Sequence, residues 1–199
     1  MRAKTVILCL SLPLVLAVAA GAADEKPAPV KAKPALLVID TQNAFMPYMD
    51  PKDVKRATEV INYTIGLFRQ NGFPVVRVYH TTPGEGPEPG TEPFQFPDTL
   101  AIREDDPKVV KNYTNAFKKT ELDALLRERG VDTVFLTGLS AVACVLATYH
   151  GALDNDYKAF MVKDALISHD ATLTHYVEEI TSTVDGRALQ LLLETARAE

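Results

Sequence analysis

The chain has 199 residues, 47% hydrophobic and 24% charged, with a formal net charge of -5. That length suits one domain with one core rather than two, and the balance excludes a disordered or fibrous chain. With a negative net charge and no basic stripe on any predicted helix, the sequence excludes a nucleic-acid backbone as partner and offers no attraction to an anionic membrane.

The first residues read as an export address. Arg2 and Lys4 precede an apolar run from Val6 to Ala20, broken by Ser11 and Pro13, and small residues from Ala19 to Ala23 offer a cleavage site. The run is short for a membrane span of about 20 residues. Residues 1–23 are therefore expected to be a signal peptide, sending the mature chain to the periplasm or the exterior with no membrane attachment after cleavage. Cys9 leaves with it, so Cys144 becomes the sole cysteine. It is either a buried apolar filler or a thiol kept for chemistry. Residues 24–33, with Pro27 and Pro29 among charged residues, read as a mobile leader, and 34–199 as the domain.

From Pro34 strand and helix patterns alternate. Ala35 to Asp40 (ALLVID) is an apolar run of the kind that fills a strand buried on both faces. Asp53 to Gln70 carries a helical stripe closed by Asn71-Gly72, and Phe73 to Tyr79 is the next strand. A Pro- and Gly-rich segment, Thr81 to Asp106, follows; it is either functional or a solvated excursion. Lys108 to Lys111 is a short strand, Thr120 to Arg129 a helix ended by Gly130, and Thr133 to Thr137 another buried strand. Ala141 to Asp154 reads as a helix, Lys158 to Val162 as a strand, Ala171 to Glu179 as a helix and Ile180 to Val184 as a last strand. Asp185 caps a final helix running to Ala198. The expected fold is a three-layer, doubly wound α/β domain, its mostly parallel sheet of about six strands ordered 3-2-1-4-5-6 with helices on both faces.

Ligands of such sheets bind beyond the carboxyl ends of the strands, where strand order reverses. Asp40 ends the first strand, either solvated at a turn or employed there. Lys111 ends another strand and is equally readable as a surface lysine. Cys144 lies near the first turn of the helix after TVFLTGLS, where backbone N–H groups and the helix dipole are expected to favour the thiolate. Together they supply a proton acceptor, a cation and a thiol. One tension remains: in the order 3-2-1-4 the strand of Lys111 lies two places from that of Asp40.

These residues resemble the isochorismatase-like cysteine hydrolases, which include nicotinamidases and carbamoyl- and ureido-group amidohydrolases. ALLVIDTQNAF is similar to the family's opening block, with Asp40, Gln42 and Phe45 in place. KNYTNAFKKTEL matches the block in which the lysine precedes an aromatic, Phe117, and a helix start at Thr120 and Leu122. FLTGLSAVACV matches the nucleophile block, with Gly138 six residues before Cys144, and VKDALIS the late Asp164-Ala165 pair. The resemblance implies Asp40 as general base, Lys111 as charge partner and Cys144 as nucleophile. It also implies an oxyanion hole from the backbone N–H groups of Ser140 and Cys144, a cis Leu139-Ser140 peptide, and self-association of the chain.

Two departures from the family matter. Ala141 stands where a threonine is usual. Metal-binding nicotinamidases carry Asp-x-His and a further histidine after the second strand, whereas this chain has Val78-Tyr79-His80 and no further histidine until His150, so neither metal nor other cofactor is expected. Phe45, Phe117 and Tyr149 are candidates for the wall of a small-molecule site, and Gln42 and His80 for further substrate contacts. The implied activity is C–N hydrolysis of a small amide or ureido compound. Isochorismatase-type hydrolysis, a non-catalytic binding protein on the same fold, and a thiol redox sensor are the alternatives. The last would want a resolving cysteine, which the mature chain lacks.

Overall fold

Pro34–Ile39 (PALLVI) forms β1, and all six residues are buried. Alternation along the strand sends Ala35, Leu37 and Ile39 into one core and Leu36 and Val38 into another. The sequence is uniformly apolar here because both faces are covered. The structure, a computed structural model, describes residues 31–197. The expected signal peptide at 1–23 and most of the leader at 24–33 lie outside the described residues.

Five further strands complete the sheet: β2 Val75–His80, β3 Lys108–Lys111, β4 Thr133–Leu139, β5 Lys158–Ile167 and β6 Thr183–Val184. Every pairing is parallel, in the order β3-β2-β1-β4-β5-β6. The expected order 3-2-1-4-5-6 and the three-layer plan are thus both found. Helices α1 (Pro51–Gln70) and α5 (Gly186–Arg197) cover the face of Leu36 and Val38 through Ile61, Ile65, Phe68, Leu189 and Leu193. Helices α2 (Leu122–Glu128), α3 (Leu146–Asp154) and α4 (Ala171–Ile180) cover the other face through Leu122, Leu126, Tyr149, Ala152 and Val177.

Several boundaries differ from expectation, each for a local reason. Helix α1 begins at Pro51 because Asp50 caps it, its carboxylate accepting from the N–H groups of Lys52 and Asp53, with proline at the first position where no donor is needed. Helix α2 begins later, because the Thr120 hydroxyl accepts from Leu122 N–H at 3.2 Å and turns the chain first. Strand β5 runs on to Ile167 by way of a bulge: Leu136 pairs with Met161, but Gly138, two residues on, pairs with Leu166. Helix α4 extends through Ile180 and leaves only Thr183–Val184 for the last strand.

The long 81–106 segment is fastened down. The Tyr79 ring stacks on Phe94 at 4.8 Å and on Phe96 at 4.3 Å between centroids, and Phe94 is fully buried. Arg69 and Asp106 form a 2.7 Å ion pair at its far end. The segment is pinned beside β2 at these points, Phe94, Phe96 and Leu100 being buried, while most of its other residues are exposed.

Candidate functional site

β1 is flanked by β2 and β4, so the reversal of strand order falls between β1 and β4. Asp40 stands at the tip of β1 there. Its N–H donates to Val78 O at 2.9 Å, and its backbone then turns into the left-handed region at φ 51°, a conformation aspartate tolerates better than most residues. Opposite Ile39, Gly138 has φ 110°, and a Cβ there would lie 2.1 Å from Ile39 O. Only glycine lets β4 pass this close to β1. The Leu139–Ser140 peptide that follows is cis, as the resemblance implied.

Cys144 does not sit in an ordinary first helical turn. Residues Ala141–Val145 form a widened turn ahead of α3, in which Ser140 O accepts from Ala143 N–H at 3.0 Å and Val145 N–H at 3.1 Å, on either side of Cys144. Such π-type turns recur at functional sites because they re-aim one side chain without breaking the helix. Here the half-buried Cys144 sulfur is brought to within 4.8 Å of the Asp40 carboxylate and of the His80 ring.

Lys111 ends β3 and is the register partner of His80, which ends β2. Its side chain, 0% exposed, crosses to Asp40 Oδ2 at 2.6 Å and lies 3.2 Å from His80 Nδ1. The other Asp40 oxygen, Oδ1, is buried with no hydrogen-bond partner. A cavity of about 190 Å³ opens over this group, lined by Asp40, Phe45, Met49, His80, Leu139, Ser140 and Cys144.

The electrostatics follow from burial. Asp40 is pushed up to about 6 by loss of solvent, opposed by the charge and hydrogen bond of Lys111 and by its contact with Cys144. Cys144 is pushed up to about 12, first by burial and then by the Asp40 carboxylate, with Lys111 pulling the other way. His80 is lowered to about 4 by burial and the neighbouring Lys111 charge. The expectation that a helix N-terminus holds Cys144 as thiolate is therefore corrected: at neutral pH the resting group is a thiol, because desolvation outweighs the dipole. Asp40 is mostly ionised and His80 neutral.

Three of the expected substrate contacts are placed elsewhere. Gln42 is fully buried with its amide committed: Nε2 donates to His80 O and Phe94 O, both at 3.0 Å, and Oε1 accepts from His80 N–H at 2.7 Å. Phe117 packs on Tyr157 at 5.6 Å between centroids and joins the core. Tyr149 is buried in the same core, its hydroxyl accepting from Ser182 N–H at 3.1 Å. Phe45 and His80 do line the cavity, their rings 6.2 Å apart. Met49 and Leu139 also line it, and no pattern in the sequence marked them: one precedes a helix cap, the other ends a wholly buried strand.

Asp40, His80 and Cys144 could in principle offer one ligand atom each to a cation. The Lys111 ammonium is already hydrogen-bonded to two of the three, so a metal there would have to displace a buried positive charge. The residues fit an ammonium better than a metal ion.

The isochorismatase domain family matches residues 34–181. The uncharacterized isochorismatase family protein YddQ of Bacillus subtilis is 31% identical over 150 residues, 73% of this chain and 81% of that protein. An isochorismatase-like hydrolase from Alkaliphilus metalliredigens superposes with a TM-score of 0.73 at 27% identity, covering 80% of this chain and 99% of that one. N-carbamoylsarcosine amidase from Thermoplasma acidophilum does so with a TM-score of 0.67 at 29% identity, over 77% and 95% of the two chains.

Proposed function

This chain belongs to the isochorismatase family of hydrolases, and from that premise we propose that it is a metal-independent cysteine hydrolase cleaving the C–N bond of a small amide or ureido compound. The observation that carries this reading is the buried, unpartnered Oδ1 of Asp40 beside a protonated Cys144 thiol, with Lys111 fixed on the opposite oxygen. A carboxylate with one free lone-pair side, next to an acid it can deprotonate, is a general base in waiting.

The steps use only groups at the site. As substrate enters, the Cys144 proton passes to Asp40, and the thiolate attacks the carbonyl carbon, forming a C–S bond. As the charge moves from carboxylate to sulfur, the Lys111 ammonium keeps its place and steadies either form. The carbonyl oxygen becomes an oxyanion, received by the N–H groups of Ser140 and Cys144 at the cavity edge. The C–N bond then breaks, and Asp40 returns the proton to the departing nitrogen. The thioester is released when Asp40 takes a proton from water, hydroxide adds to the acyl carbon and the sulfur leaves as the C–S bond breaks, taking that proton back from Asp40 to become the thiol. Similarity to N-carbamoylsarcosine amidase, whose name describes action on a carbamoyl nitrogen, supports the C–N assignment. Export is part of the same proposal and rests on the N-terminal sequence pattern.

Ammonia release from small amides and ureido compounds tests the reading, with Cys144→Ala as the blank. Turnover that survives in Cys144→Ala removes the thioester route. A shortened N-terminus on protein recovered outside the cytoplasm tests export.

A further inference from the structure

The sequence marks His80 as a candidate substrate contact, but its geometry gives it a different task. Its ring is half-buried between two hydrogen-bonding partners. Nδ1 lies 3.2 Å from the Lys111 ammonium and Nε2 lies 3.3 Å from the Thr82 hydroxyl. An ammonium has only donors, so Nδ1 has to accept from it, which places the ring proton on Nε2, where it donates to Thr82 Oγ1. The tautomer is set by its neighbours.

The backbone of His80 is held as firmly as its ring. The buried Gln42 amide bonds both its N–H, at 2.7 Å, and its carbonyl, at 3.0 Å. Gln42 is in turn tied to the carbonyl of Phe94, a buried anchor of the 81–106 segment. This arrangement fixes the height at which Nδ1 meets the lysine. The ring stands on the strand that Lys111 has to cross to reach Asp40.

We propose that His80 is a positioning residue that clamps the Lys111 ammonium against Asp40 through Nδ1, so that the third N–H of the lysine is reserved for the Cys144 sulfur. Of the three ammonium hydrogens, one goes to Asp40 Oδ2 and one to His80 Nδ1, which leaves one for sulfur. Both fixed acceptors are needed: one bond alone leaves the ammonium free to swing about it. A neutral second acceptor also matters, because a carboxylate at position 80 would cancel the positive charge that the nascent thiolate requires. The proposal rests on Cys144 acting as nucleophile, as in the proposed function, but its test does not depend on any substrate.

The test exploits side-chain shape. In His80→Asn the amide oxygen takes the position of Nδ1 and can still accept from Lys111. In His80→Gln the amide takes the position of Nε2, keeping the contact to Thr82 and losing that to Lys111. His80→Leu keeps the bulk with no acceptor. Alkylation of Cys144 by iodoacetamide is followed from pH 6 to 9 in the intact chain, beside thermal unfolding of each variant. Rates for His80→Asn within about 3-fold of the parent, with His80→Gln and His80→Leu slowed at least about 10-fold, support the clamp. Rescue by Gln rather than Asn, equal slowing of all three, or no slowing in Leu overturns it. If hydrolysis is found, the clamp further requires that His80→Leu lower kcat while leaving KM nearly unchanged; a substrate contact would raise KM. Ammonia release from no compound tried would remove the hydrolase reading and leave the alkylation pattern to be judged by itself.

Discussion

Lys111 and Asp40 meet at 2.6 Å although the strands that carry them are not neighbours, since β2 lies between β3 and β1. The lysine side chain crosses that strand, wholly buried, passing the ring of its own register partner His80. A short aspartate at the reversal of strand order can therefore share a site with a cation from the edge of the sheet.

Removing that cation tests the pair. Lys111→Met leaves Asp40 buried without a counter-charge, which raises its pKa further above about 6 and so removes the base at neutral pH. Turnover should fall at least about 1000-fold, a general-base contribution compounded by loss of the charge that steadies the thiolate. Urea unfolding should show a cost of about 3 kcal/mol at pH 8, in the range for breaking a buried pair, and a smaller cost at pH 5, where the carboxyl is neutral. Equal costs at both pH values would contradict the pairing.

The pH dependence of the parent follows from the same carboxyl. The proposed mechanism needs Asp40 ionised, so kcat/KM should rise with pH through a limb near 6 rather than near the ordinary 3.8. Stability runs the opposite way. With the folded-state value above the unfolded one, the native state holds more protons between about pH 4 and pH 6, and stability falls as pH rises through that window. Rate and unfolding profiles measured side by side should show these opposed slopes.

Gly138→Ala should be among the most damaging small substitutions in the chain. The added methyl would sit 2.1 Å from Ile39 O at φ 110°, so β1 and β4 have to part at the base of the site. A loss of roughly 2–4 kcal/mol in unfolding free energy is expected, from overpacking and a backbone conformation unsuited to alanine. Activity should fall more than stability, since Ser140 and Cys144 hang from that strand.

The cavity should reject anions. Asp40 and Lys111 balance each other, His80 is neutral, and no other cation lines the space among the described residues. Normalised to a free thiol, Cys144 should react with iodoacetamide at least about 10-fold faster than with iodoacetate. Amides whose acyl portion is uncharged should likewise be hydrolysed in preference to those carrying a second carboxylate. Faster labelling by iodoacetate would show that the Lys111 charge is not balanced by Asp40.

Gln42→Leu removes the partner of three backbone groups, the part-buried N–H and carbonyl of His80 and the buried carbonyl of Phe94. At about 1–3 kcal/mol for each orphaned group, partly relieved by relaxation, a cost of about 3 kcal/mol is expected. Protease cleavage within 81–106 should become faster. A change confined to KM would restore Gln42 as a substrate contact.

What could be read without coordinates divides along physical lines. Apolar runs buried on both faces, and their alternation with amphipathic stripes, carried the sheet and its order. The rule that ligands bind where strand order reverses singled out Asp40 for the same reason. Lys111 is legible mostly through resemblance, because its segment is short and its contact spans a strand that no periodicity records. Gln42, Phe117 and Tyr149 were misplaced because residue type does not tell which neighbour satisfies an amide or fills against a ring. The protonation of Cys144 was misjudged because a helix N-terminus is visible in sequence and depth of burial is not.

That protonation also bears on durability. Cysteine attacks peroxides and disulfides as the thiolate, and a sulfur whose pKa is pushed up to about 12 presents almost none of it at neutral pH. In the proposed mechanism the reactive form arises only when Asp40 accepts the proton as substrate enters. On that mechanism the resting sulfur, the one cysteine among the described residues, is shielded from oxidants by the same desolvation that restrains its chemistry.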